Sequence, residues 1–122
     1  MRFQKLTPML YTTDLEGTIH FYVNLLGFTC NEVNFDWGWA SLEKDGIELM
    51  FSKPNDHIPF TQSHFTGSFY FKTNDVVSIW NQLRDTVQLA YPLEHFEYGM
   101  HEFALLDNNG YLIQFGQETT PE

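Results

Sequence analysis

At 122 residues, with 43% apolar side chains, the chain is long enough for one domain with a sizeable core. Sixteen acidic residues against six basic ones give a formal charge of −10, which argues against binding a phosphate backbone and leaves no nucleic-acid partner expected. Aromatic residues reach 17%, with twelve Phe, six Tyr and three Trp, more than a small core usually takes, so some should line a binding surface while most of the Phe fill the core.

No window holds enough apolar residues to span a bilayer, so no membrane partner is expected. The first residues, Met1-Arg2-Phe3-Gln4-Lys5, lack a signal peptide's apolar core. Cys30 is the single cysteine, which excludes an intrachain disulfide. A cytoplasmic location is the expectation these features set.

In chain order, residues 3–12 read as a strand carrying Pro8. Proline cannot donate to a sheet ladder, so this strand lies at an edge, begins late or crosses to a partner chain. Thr13-Asp14-Leu15-Glu16 is a helix start, with Thr13 and Glu16 spaced as a capping box and Asp14 an alternative cap. Leu15, Ile19, Tyr22 and Leu26 follow at helical spacing, and Gly27 ends the helix. A strand over 28–35 and a hairpin of 37–44 with 46–52 complete the first unit. Residues 53–66 are rich in Pro, Asn and Ser, and a loop of that length is usually a functional lid or a linker.

The unit then repeats. Residues 67–72 alternate as a strand, and Asn74-Asp75-Val76 matches Thr13-Asp14-Leu15 at an offset of 61 positions, counted as 75 less 14 for the two Asp. Val76, Ile79, Trp80 and Leu83 give the second helix its buried face. A short strand at 87–90 and a connector over 91–101 lead to two apolar runs around Asp107-Asn108-Asn109-Gly110, and Asn-Gly between such runs signals a hairpin. A polar tail closes the chain at 117–122. The predicted order is β-α-β-β-β twice, an α+β fold. Module one spans about 3–52 and module two about 67–116, paired within a single domain as a curved mixed sheet around a cavity.

Each helix must cover one sheet face, which leaves the other face for the cavity. Alternation puts Thr7, Glu48, Met50, Ser68, Tyr70, Leu112 and Gln114 on the cavity side, and Leu49, Phe51, Phe69, Phe71, Ile113 and Phe115 beneath the helices. Glu48 is mid-strand, where an unpaired carboxylate is costly. It reads equally as a metal ligand, a general base, an anchor for a ligand cation, or a strand residue paired with a nearby Lys. His20 reads as solvated, and His57 and His64 fall in the central loop. His95 and His101 flank the Tyr98-Gly99-Met100 connector, and of the five histidines His101 is the one placed to reach the cavity. Neither His-x-His nor His-Glu-x-x-His occurs. Trp37 and Trp39 could stack on a flat or cationic ligand, or could serve a core or dimer interface.

Four motifs, in order, resemble the vicinal oxygen chelate superfamily of glyoxalases, extradiol dioxygenases and the bleomycin- and fosfomycin-resistance proteins. They are Thr13-Asp14-Leu15 through Phe21-Tyr22 to Leu26-Gly27-Phe28, Ile47-Glu48-Leu49, Asn74-Asp75-Val76, and Gly99-Met100-His101-Glu102-Phe103 through Asp107-Asn108-Asn109-Gly110 to Phe115-Gly116. The resemblance implies metal-ligand positions at Thr7, Glu48, Ser68 and Gln114, where metal-dependent members usually carry His or Glu. One carboxylate with three neutral oxygens holds zinc, iron or nickel poorly, so no metal, no cofactor and no catalytic residue is expected. The bleomycin-resistance branch is the nearest pattern, sharing small size, acidity, Pro8 and the Gly-x-x-Glu-Phe-Ala hairpin. That likeness implies antibiotic resistance by sequestration: a homodimer, its N-terminal strand swapped across near the proline, that binds a cationic or aromatic small molecule unaltered. Asn108 replaces a usual turn proline, and Tyr98 and His101 replace an expected Trp and Arg. Trp37, Trp39, Tyr70, Tyr98 and Phe103 would supply stacking surface, Glu48 would attract positive charge, and Met50, Gln114 and His101 would shape the site. A metal-dependent lyase or dioxygenase using Glu48 is the alternative.

Overall fold

The computed structural model describes residues 1–55, 60–64 and 68–119. They form two compact units, Met1–Thr61 and Gln62–Glu122. Unit one contains β1 (Met9–Tyr11), α1 (Leu15–His20) continuing as one π-helical stretch (Phe21–Leu25), β2 (Thr29–Asn34), β3 (Trp39–Lys44) and β4 (Ile47–Ser52). Unit two contains β5 (Phe69–Lys72), α2 (Val76–Leu83), β6 (Gln88–Phe96), β7 (Met100–Leu106) and β8 (Leu112–Glu118). The strand orders β1-β4-β3-β2 and β5-β8-β7-β6 are the same pattern twice. In each, the first strand runs parallel to the last and the remaining pairs are antiparallel, so both sheets are mixed. The predicted β-α-β-β-β repeat is therefore the observed one.

The repeat is visible at the helix starts. Asp14 Oδ1 accepts from the Gly17 amide at 2.9 Å, and Asp75 Oδ1 accepts from the Ser78 amide at 3.2 Å. Each satisfies an amide that the helix leaves unpaired. Asp14 is thus the cap in unit one, in place of a Thr13–Glu16 capping box. Gly27, at φ +79°, ends the first helix as expected, although its second half is π-helical.

The cores follow the helix stripes. Tyr22 is fully buried, with its ring 4.9 Å from Phe51 and 5.5 Å from Phe28. Leu42, Leu49 and Ala40 close around them. In unit two Trp80 meets Phe103 edge-on at 5.2 Å, and Phe103 stacks on Phe115 at 5.4 Å. Leu49, Phe51, Ile113 and Phe115 are buried, as alternation requires.

The first strand takes two of the courses left open for it, and three other expectations are revised. The first strand begins only at Met9, just past Pro8, and lies at a sheet edge. Pro8 has no N–H to give, but its carbonyl accepts from the Met50 amide at 2.9 Å. The stretch 91–101 is not a connector: Pro92 sits inside the nine-residue β6, an edge strand whose register shifts on both sides of Tyr91 and accommodates the missing donor. The hairpin at 107–110 puts only Gly110 at positive φ, +89°, and leaves Asn109 in ordinary conformation. There Asp107 Oδ1 organises the turn by accepting from the Asn109 and Tyr111 amides, both at 2.8 Å. The last strand also runs to Glu118, so the predicted polar tail starts later than 117. His57 and part of the predicted 53–66 loop lie outside the described residues.

Among the described residues no helix is long and apolar enough to cross a membrane. Removing either cap, as D14A or D75A, should cost about 1 kcal/mol in urea denaturation, because each substitution orphans a helix amide.

Candidate functional site

In each unit the parallel strand pair brings two polar side chains together on the face opposite the helix. In unit one the Thr7 hydroxyl donates to Glu48 Oε1 at 3.1 Å. In unit two the Ser68 hydroxyl donates to Gln114 Oε1 at 2.5 Å. These are the four positions where metal-dependent relatives of this pattern would carry ligands.

Glu48 is half-buried and fully engaged. The Lys5 ammonium pairs with Oε1, and Ser41 donates to Oε2 at 2.5 Å. Hydrogen bonds from Lys5, then Ser41 and Thr7, hold its carboxyl down at about 2, against an ordinary 4.5. A lysine ammonium thus pairs with this carboxylate, and the pair in unit two offers only a hydroxyl and an amide. Among the described residues no three His, Cys, Asp or Glu side chains gather as a metal cluster. Neither pair by itself fits a divalent transition metal, whose protein ligands are imidazoles, thiolates and carboxylates.

The candidate residues divide by face. Trp39 and Met50 share the Glu48 face, since Trp39 pairs with Ser52 and Ser41 with Met50 across β3 and β4. Trp37 does not join them: it lies in the turn before β3, 72% exposed, its amide bonded to Asn34 Oδ1. Tyr70 and Gln114 are register partners on the exposed face of unit two. Tyr98 belongs to the β6–β7 turn and stacks on Phe96 at 5.4 Å.

Two assignments need correction. Phe103 is completely buried against Trp80 and Phe115 on the helix side, where no ligand can stack on it. His101, two residues earlier on the same strand, shares that side. Its ring lies parallel to that of His95 at 3.9 Å, and burial, followed by the charge of His95, lowers its pKa.

A further acid, Glu102, emerges at the centre of the unit-two face. It is 1% exposed. Tyr70 donates to Oε1 at 2.7 Å and Tyr91 donates to Oε2. The Gln114 amide in turn donates to the Tyr91 oxygen at 2.9 Å. Burial raises the Glu102 pKa, but the hydroxyls of Tyr91, Tyr70 and Tyr98 outweigh it and hold the group below its ordinary value. The phenols move the other way. Burial, then the bond to Glu102, pushes Tyr91 up to about 12 and Tyr70 higher than the usual tyrosine range. Gly116 makes the cluster possible: a Cβ there would lie 2.0 Å from the Tyr70 hydroxyl. The sequence cue for Glu102 is the one that marks Glu48, an acid in mid-strand between apolar neighbours.

Two matching modules, each a four-stranded mixed sheet under one helix with a polar pair on its parallel strands, define a paired-module α+β protein. The chain belongs to the Glyoxalase/Bleomycin resistance protein/Dioxygenase superfamily, whose profile matches residues 5–115. Solved structures share the fold at low identity. A protein of unknown function from Agrobacterium tumefaciens superposes with a TM-score of 0.80 at 20% identity, over 97% of this chain and 96% of that one. TioX from Micromonospora sp. ML1 gives 0.73 at 19%, over 94% and 98%. A lactoylglutathione lyase from Agrobacterium tumefaciens gives 0.73 at 17%, over 93% and 92%. No functionally curated protein matches the chain.

Two pH effects follow. The depressed Glu48 carboxyl contributes stability that is in place above pH 4.5 and is lost as pH falls toward about 2, so acid denaturation should have a component in that window that E48Q removes. The raised Tyr91 phenol contributes stability that is present below pH 10 and is lost as pH climbs through about 12. Phenolate absorbance should therefore show Tyr70, Tyr91 and Tyr98 titrating late, and G116A, by displacing Tyr70, should bring one of them back toward its ordinary range.

Proposed function

We propose that this protein binds and sequesters a small aromatic molecule without transforming it, as a cytoplasmic homodimer of the bleomycin-resistance type. The observation that carries this reading is the state of Glu48. Its oxygens are taken by Lys5, Thr7 and Ser41, and its counterpart pair is the neutral Ser68 and Gln114. Held in this way, Glu48 is not free to act as a base, and the pair in unit two carries no ionisable group.

Aromatic rings that are exposed or half-buried support the binding half of the proposal. Trp39 lies beside Met50 on the Glu48 face of unit one, and Tyr70 and Tyr98 are 40% and 65% exposed in unit two. Rings of this kind supply large contact area at low entropic cost. The strongly acidic balance of the chain favours a ligand carrying positive charge.

Titration with a bleomycin-type drug should quench tryptophan fluorescence, and W39F should reduce the amplitude. No change at high micromolar drug would overturn the reading. Stoichiometric zinc, nickel or iron bound through Glu48 in the purified protein would replace it with a metal-dependent lyase or dioxygenase.

A further inference from the structure

Lys5 already neutralises Glu48, so a ligand cation must be met elsewhere. We infer that the Glu102-centred tyrosine face of unit two recognises a cation that donates hydrogen bonds, an amidinium, guanidinium or primary ammonium carried on an aromatic body. The inference rests on the ligand-binding reading above and names the class of ligand.

Proton bookkeeping carries it. A phenol has one proton to give. Those of Tyr70 and Tyr91 go inward to the two oxygens of Glu102, and the Tyr98 hydroxyl helps to lower the pKa of the same carboxylate. The Ser68 proton is committed to Gln114 Oε1, and the Gln114 amide donates to the Tyr91 oxygen. What remains outward-facing on these hydroxyls is lone pairs, chiefly on the exposed Tyr70 and Tyr98. A carbonyl, carboxylate or phosphate arriving here meets no hydroxyl proton. An N–H cation meets the phenol lone pairs, with the Lys72 ammonium on the same face held by Glu118.

Charge points the same way. The ion pairs among the described residues are Lys5–Glu48, Lys44–Asp45, Lys72–Glu118 and Arg84–Asp85, and none involves Glu102. A buried carboxylate held by neutral donors keeps its full negative charge, and it acts across a low-dielectric layer of rings. Those rings are arranged for a cation as well. Phe96 stacks on Tyr98 with an interplanar angle of 13° and meets Tyr91 edge-on at 5.6 Å, which leaves aromatic π-faces beside the acceptors. The geometry is built in, since Tyr70 reaches Glu102 only by crossing the bare Cα of Gly116.

The test is a calorimetric titration of the full chain with three probes of one shape: benzamidinium, neutral benzamide and benzoate. Benzamidinium should bind about tenfold or more tighter than benzamide, as expected for hydrogen bonds to a charged group, with benzoate weakest. E102Q should erase the preference for the cation. Y98F removes one acceptor from an exposed ring and should weaken benzamidinium about threefold while leaving benzamide unchanged; it serves as the test if E102Q does not fold. Equal affinity for benzamidinium and benzamide, a preference retained in E102Q, or tighter binding of benzoate would each overturn the inference. Failure of all three probes to bind would overturn it too, and the drug titration then decides separately whether the broader ligand-binding reading also falls.

Discussion

Each four-stranded sheet has a single helix to cover it, and one helix can bury only one face. That constraint governs both units. Apolar side chains at every second strand position are drawn beneath the helix, as Leu49 and Phe51 are in the first unit and Ile113 and Phe115 in the second. Their immediate neighbours are forced onto the opposite face, where the polar and aromatic groups of functional interest collect. Glu48, Ser68, Tyr70, Glu102 and Gln114 all owe their placement to this parity.

The two carboxylates so placed are stabilised by different means. Glu48 keeps partial solvent access and an ammonium partner, Lys5, whose own side chain is largely exposed. Such a pair is screened by water and salt. Glu102 is sealed and relies on phenols, which satisfy its lone pairs without cancelling its charge. The first acid is electrically quiet; the second projects a field. Duplication of one module has thus produced two faces of the same architecture with unlike electrostatics.

Much of this was legible in the sequence, and what escaped has physical reasons. The offset between Asp14 and Asp75 marked the repeat because helix caps are local, set by a side chain and an amide three residues on. The strand faces were legible because pleating has a strict period. The extent of β6 was not, since Pro92 and Gly99 imitate a loop when bulges and a turn are what hold them. Phe103 was placed with the ligand surface on chemical type alone. Parity along β7 puts it opposite Glu102, and so in the core. The Lys5–Glu48 pair joins residues 43 positions apart, and the tyrosines meet Glu102 from separate strands, contacts no local pattern encodes.

Pro92 has a consequence beyond its own strand. β6 forms the outer margin of the second sheet, and a long free margin ordinarily invites another chain to zip onto it. Register irregularities on either side of Tyr91, the second spanning Pro92, break the regularity of that run. An irregular margin of this kind is a poor template for a further strand, one of the ways in which sheets blunt an exposed edge.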